Sequence, residues 1–273
     1  MNVCFLDRCL PRFAMLALAL LAGGVPFAAV AEEAKGAPEE SCIRCHSAPD
    51  FLVTQRKLYN YYQDWEASIH RQEDVTCSDC HGGNPEAPGE KQAHAGLLGE
   101  SDASSAVNFS NVPATCGSCH GDVEEAYRTS AHFEHLAKGE DDKQGPSCVT
   151  CHDSMNTLTL DVTTVEAACS RCHNLESDNH PEIPEEARRA LNKFLSIDRF
   201  YRYVAVRLDT EESRRFLEGI DTRRDELSVQ WHSFDLERIG AATSGILDEL
   251  RERRDRIRAR SRAATVGSDD SAP

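Results

Sequence analysis

One short string, Cys-x-x-Cys-His, occurs five times between residues 42 and 173 and takes up every cysteine after Cys9. The copies are Cys42-Ile-Arg-Cys45-His46, Cys77-Ser-Asp-Cys80-His81, Cys116-Gly-Ser-Cys119-His120, Cys148-Val-Thr-Cys151-His152 and Cys169-Ser-Arg-Cys172-His173. Their first cysteines stand 35, 39, 32 and 21 residues apart. Chance supplies roughly 0.02 such strings at this composition. A chain interrupted this often has little room for long regular elements between the motifs. Its fold is set by whatever the motifs hold.

Cys-x-x-Cys-His is the attachment signature of c-type haem. The two thiols form thioethers with the vinyl groups, and the adjacent histidine comes under the iron as proximal ligand. The spacing is fixed because vinyls and iron have fixed positions in one rigid macrocycle. Disulfides or zinc sites also use cysteine pairs, but they do not require a histidine after every second cysteine. A thioredoxin-like pair occurs once, in a strand-helix context, not five times in Gly- and Asp-rich chain. The expected cofactor is therefore five covalent haem c groups. They are bound by Cys42, Cys45, Cys77, Cys80, Cys116, Cys119, Cys148, Cys151, Cys169 and Cys172, with His46, His81, His120, His152 and His173 as proximal ligands.

Each iron has an opposite face. Past residue 31 the chain offers one methionine, Met155, but six further histidines: His70, His94, His132, His135, His180 and His232. Five bis-His irons would use all but one. His70 and His132 both end a Ser-x-His segment upstream of a motif, an internal repeat that marks both as ligands. His94 lies in the loop after Cys80-His81-Gly82-Gly83. His232 follows Trp231 far from any motif; it is either simply packed or ties the tail to the haem core. His135 lies one helical turn from His132, so both cannot easily face one iron. His180 is taken as the fifth ligand and His135 as the spare.

Residues 1–31 read as a secretory signal peptide: Arg8 and Arg12, an apolar run from Phe13, then Ala29-Val30-Ala31 before Glu32-Glu33. Cys4 and Cys9 fall in it. The competing reading is a retained membrane anchor. With cleavage, the protein is periplasmic, with no stable membrane insertion. Residues 32–184 form the haem region. Its connections, Gly82 to Pro88, Gly99 to Pro113 and Gly139 to Pro146, are rich in turn residues. Residues 185–264 are helical, opening with Pro184 and two acids. Ala187, Leu191, Phe194, Leu195, Tyr201, Val204 and Leu208 recur at helical spacing, and so do Leu236, Ile239, Ile246, Leu247 and Leu250. Asp209-Thr210-Glu211-Glu212 either restarts or continues the first helix. Residues 265–273 are expected to be a disordered tail. The fold class expected is mainly α with extensive loops: a core packed by five haems, followed by long C-terminal antiparallel helices. Only 7% of residues are aromatic, so the macrocycles must supply much of the apolar interior, and folding should depend on haem.

The formal charge of -16 argues against a nucleic-acid surface. It is concentrated: residues 32–184 carry 10 Lys and Arg against 27 Asp and Glu, whereas residues 185–273 carry 18 of each. An acidic haem region calls for a redox partner with a basic docking patch. The arginine-rich run from Arg251 to Arg262 is either a docking face or an internally paired helix side.

With these residues in hand, the chain resembles the periplasmic multihaem cytochromes c, in particular the group of cytochrome c nitrite reductase, hydroxylamine oxidoreductase and their electron-transfer relatives. The motifs, the Ser-x-His segments and the C-terminal helices carry the resemblance over about residues 42–235. It implies respiratory electron transfer through closely packed haems, usually bis-His. The active-site Cys-x-x-Cys-Lys of the nitrite reductases is absent from this sequence, which lowers a nitrite-reducing role. The leading expectation is an electron carrier with no catalytic residues. The alternatives are a reductase with one five-coordinate haem acting on a small nitrogen or sulfur oxyanion, and a membrane-anchored quinol dehydrogenase module.

Overall fold

The computed structural model describes residues 40–139, 145–177, 179–207 and 210–269. Every regular element among them is helical. The first eleven helices are short: α1 (Ser41–His46), α2 (Phe51–Thr54), α3 (Arg56–Glu66), α4 (Ile69–Gln72), α5 (Cys77–His81), α6 (Glu90–Ala93), α7 (Val112–Gly117), α8 (Gly121–Arg128), α9 (Ala131–Lys138), α10 (Cys148–His152) and α11 (Val162–Ser170). Three long ones follow: α12 (Ile183–Ala205), α13 (Glu211–Gln230) and α14 (Leu236–Asp269), with a 3-10 turn, Trp231–Ser233, between the last two. The expected signal peptide, residues 1–31, lies outside the described residues. No described helix is long and apolar enough to cross a membrane.

The long helices begin and end for legible reasons. Pro184 stands in the first turn of α12, where its missing N–H costs nothing, and Glu185 and Glu186 lie at the positive end of the helix dipole. A new helix starts after Thr210, because the Thr210 hydroxyl accepts from the Ser213 amide at 3.2 Å and caps α13. The helix expected to stop at residue 264 runs on as α14 to Asp269. No proline stands before residue 270 to end it, and Ala263-Ala264 favour its continuation.

These three helices carry the hydrophobic core. Ile197, Val204, Leu217, Ile220, Leu227, Ile239, Ile246, Leu247, Leu250 and Ile257 form one buried cluster. α12 and α13 meet in opposite sequence order: Arg224 pairs with Asp198, and Asp221 accepts from the Tyr201 hydroxyl at 2.6 Å. The first part of the arginine-rich run, Arg251 to Arg258, is paired internally. Arg253 reaches Glu212 and lies over Phe216, while Arg251 and Arg254 lie over Phe200. That arrangement favours the reading of a helix side bound to its own neighbours.

The region before Ile183 is built differently. Its loops are held by side chains that satisfy backbone carbonyls rather than by a core. Asn108 Nδ2 donates to Glu100 O at 2.9 Å, Asn111 Nδ2 to Ala103 O at 2.8 Å, and Trp65 Nε1 to Val75 O at 3.0 Å. Such bonds meet the polar demands of irregular backbone but supply little apolar burial.

Candidate haem centres

In a helical turn, residues i, i+3 and i+4 share a face, so Cys-x-x-Cys-His on a helix presents both thiols and the imidazole on one side. The chain makes that turn at every motif. Helix α1 contains Cys42, Cys45 and His46, and α5 and α10 each start on the first cysteine of a motif and end on its histidine. Both of the latter are fixed at the start: the Thr76 amide donates to the Asp79 carboxylate at 2.7 Å, and the Ser147 amide to the Thr150 hydroxyl at 3.0 Å. The third and fifth motifs extend the ends of α7 and α11, with the amides of His120 and His173 each donating to the carbonyl of Cys116 and Cys169 at 2.9 Å.

The motif helices follow one another in space as in sequence. Helix α1 packs on α5, and Glu40 accepts from Thr76 at 3.0 Å and from Ser78 across that junction. Residues of α5 and α7 line one cavity. Helix α10 packs on both α7 and α11. None of the ten described cysteines is in a disulfide, and no described group of three or more His, Cys, Asp or Glu is gathered to hold a metal ion by itself. Burial pushes the Cys77 thiol up to about 12 and the Cys151 thiol up to about 11, which leaves both neutral and poor as nucleophiles.

Four motif histidines face a second histidine across a gap. Ring centres lie 6.3 Å apart for His46 and His94, 6.2 Å for His120 and His70, 6.1 Å for His152 and His232, and 6.0 Å for His173 and His132. An imidazole nitrogen sits about 2 Å from a ligated first-row metal. With about 1 Å more from nitrogen to ring centre, two imidazoles on opposite sides of one ion have centres about 6 Å apart. The donor set therefore fits iron held between paired imidazoles. Hydrogen bonds at the other ring nitrogen agree: His152 Nδ1 donates to Leu158 O at 2.8 Å, His173 Nδ1 to Asn179 O at 2.9 Å and His232 Nδ1 to Val229 O at 3.2 Å. This is the outer support that ligating histidines use, and it leaves Nε2 for the metal. Burial, with His173 and His135 nearby, pushes His132 down to about 4, and burial lowers His46, His70 and His232 as well. The neutral ring is the ligating form.

Local sequence explains how these rings are aimed. In both Ser-x-His segments the serine is an N-cap. Ser68 accepts from the Arg71 amide at 3.2 Å to start α4, and Ser130 from the Phe133 amide at 3.1 Å to start α9. The histidine then falls on the second helical position, and both serines are buried. His94 is set by the loop after the second motif. Gly83, at φ +85°, lies so close to the Ala93 carbonyl that a Cβ would come within 2.7 Å of it. His232 sits in the turn between α13 and α14. Phe234, two residues on, packs edge-on against the His132 ring at 4.4 Å. That contact was not read from the sequence, and nothing in the local pattern marks it.

The other expected histidines are placed differently. Among the described residues no ring contact pairs His81 with a second histidine, although His46 lies near enough to feel its charge. His180, expected as a fifth distal ligand, is brought to no motif histidine. Its side chain is 71% exposed, its φ of +48° lies in the left-handed region, and its Nδ1 pairs with Glu182 at 3.2 Å. His135, expected as the spare, is exposed on α9.

A family model described as cytochrome c7 and related cytochrome c matches residues 100–174, which hold the last three motifs. No characterised protein and no solved structure matches the chain. The match, with the motif geometry, supports a multihaem c-type cytochrome with covalently bound haem, a class that works in electron transfer.

Proposed function

We propose that the chain carries five covalent haems and relays electrons between respiratory redox proteins outside the cytoplasm. The observation that carries this reading is the sequential packing of the motif turns, with four of the five proximal histidines opposed by a second histidine at 6.0–6.3 Å. A six-coordinate bis-His iron has no site for substrate and serves to pass electrons on. Motifs that pack in order leave short steps from the first haem to the fifth. Export is supported by the leader-like residues 1–31 and by the family match, whose members are typically periplasmic or extracellular. Within the multihaem cytochromes, the Ser-x-His segments support kinship with the nitrite reductase and hydroxylamine oxidoreductase group, on its electron-transfer side. The net charge of -17 over residues 32–184 suits a partner with a basic patch. The long-range attraction speeds encounter and fades with salt.

Two measurements test the reading. Intact mass of the exported protein should correspond to a chain starting near Glu32 plus five haems; retention of residues 1–31 would move it to the membrane-anchored class. The second-order rate of reduction by the physiological donor should fall as salt rises. A rate indifferent to salt would remove the basic-patch partner.

A further inference from the structure

The three long helices lie side by side, and the two ends of their bundle differ. Arg251 and Arg254 of α14 lie over Phe200 of α12, and Arg258 lies over Tyr203, so α12 and α14 run in the same direction. Arg253 of α14 reaches Glu212 in the first turn of α13. One end carries the motif region: Arg188, early in α12, pairs with Glu166 at 3.3 Å, and His232 faces His152. At the other end α12 stops at Ala205 and α13 starts at Glu211, while α14 runs on to Asp269. At 1.5 Å per residue, that is about 16 Å past Arg258. Among the described residues, Ile257 is the last side chain that α14 gives to the buried cluster.

The overhang is basic. Residues 256–268 hold Arg256, Arg258, Arg260 and Arg262 and no acid; the next acids are Asp269 and Asp270. Among the described residues the ion pairs of this stretch end with Arg256, which reaches Glu252 at 2.6 Å. Arg258, Arg260 and Arg262 are exposed. Arg207, just past the end of α12, lies over the Tyr203 ring at 3.9 Å, and Arg258 overlies the same ring at 5.5 Å. Two guanidinium groups held at one ring concentrate positive charge at this end.

We propose that this end of the bundle docks on the headgroup layer of an anionic phospholipid membrane, through Arg207, Arg258, Arg260 and Arg262. Arginines two residues apart stand about 200° apart around a helix. Arg258 and Arg262 therefore point to one side and Arg260 to the other. The acidic face of a protein would meet one side only, whereas a layer of mobile headgroups surrounds the whole tip. The guanidinium fork pairs with phosphate oxygens. Between and after the arginines, residues 259–268 are Ala, Ser, Thr, Val and Gly, with no large apolar side chain. The tip therefore stays among the phosphates and does not enter the acyl layer. The acidic motif region does not prevent this contact. The turn that carries His232 ends before Leu236, and from Leu236 to Arg260 is about 36 Å along the helix. That is several times the Debye length of about 8 Å, so repulsion between the motif region and an anionic surface is screened.

The test uses the exported holoprotein and co-sedimentation with vesicles. At low salt the protein is expected to bind vesicles of phosphatidylglycerol and phosphatidylcholine, and to stay in solution with phosphatidylcholine alone. One basic side chain at an anionic surface contributes roughly fivefold in partition, so Arg260→Glu, which changes two charges, should weaken binding about 25-fold. Arg258→Glu, Arg260→Glu and Arg262→Glu together should abolish it. Arg238→Glu, exposed at the other end of α14, should change it by less than about twofold, since it lies beyond the screening distance. Absence of binding to the anionic vesicles overturns the proposal. Equal binding to phosphatidylcholine alone places the attachment on an apolar segment and overturns it too. Full binding by the triple variant, or an equal loss in Arg238→Glu, puts the contact elsewhere. Binding of polyglutamate in preference to the vesicles, lost in Arg260→Glu, gives this end to an acidic protein face and overturns the lipid assignment.

Discussion

Residues 40–182 and 183–262 fold by different means. Among the described residues the first stretch buries Trp65, Ala87, Val112, Tyr127, Leu136 and Val165, none of them in the cluster that the long helices form. The second, little more than half as long, buries eleven apolar side chains, ten of them in one cluster. Apolar burial contributes about 25 cal/mol per Å², so the helical region has its own driving force and the motif region largely lacks one. The motif region instead has five turns that each bring two thiols and an imidazole to one side. Covalent macrocycles would add the apolar surface that the side chains do not supply. The two regions meet where it matters: His232, from the turn between α13 and α14, faces His152, and Phe234 seats on His132. The helical region thus sets an imidazole opposite one of the motif region's own.

The contrast can be broken most forcefully at the core. Leu247→Ala or Ile220→Ala, both fully buried, should cost about 2–5 kcal/mol. Thermal denaturation should show the loss in helix signal, while the spectrum of the haems not tied to the tail changes less. Equal disruption of all haems would mean that the regions are one cooperative unit.

A smaller effect, confined to the motif region, is expected from Gly145→Ala. An added Cβ would stand 2.1 Å from the His132 carbonyl and 2.6 Å from the Leu136 amide, so α9 must shift and carry His132 away from His173. One haem in five should gain high-spin character. An unchanged spectrum would show that α9 does not position a ligand.

His232→Ala sharpens the comparison at the junction. It should open one haem to carbon monoxide with little loss of helix content, since His232 lies outside the hydrophobic cluster. Failure to add an equivalent of carbon monoxide would leave His232 as a packed side chain. The smallest change is Ser68→Ala or Ser130→Ala. Each removes an N-cap worth about 1 kcal/mol, and it should appear as faster local hydrogen exchange in α4 or α9, with ligation retained. No change in exchange would mean that the cap does not hold the ring.

Much of this was legible in the sequence for identifiable reasons. The motif turns are local, so spacing alone predicts their shared face. Ser-x-His is a capped first turn, and its repetition exposes it. Pro184 and the acids after it mark the start of α12 by the rules of helix ends. What resisted reading was long-range. His94 and His180 are both loop histidines near a motif, and no local signal tells the one set by Gly83 against Ala93 from the one paired with Glu182. Nor does sequence show that the 96–118 segment brings Leu98 and Ser105 to the side of His81. The pairing of Arg253 with Glu212, 41 residues away, is invisible for the same reason.

The most direct test of the two-region contrast is amide hydrogen exchange, read by mass spectrometry, on the protein made with and without the haem-attachment machinery. The expected result is that residues 40–182 lose protection almost completely without haem, while α12, α13 and the buried part of α14 keep most of theirs. Strong protection of residues 40–182 in the haem-free chain would contradict it, because that stretch would then have a core of its own.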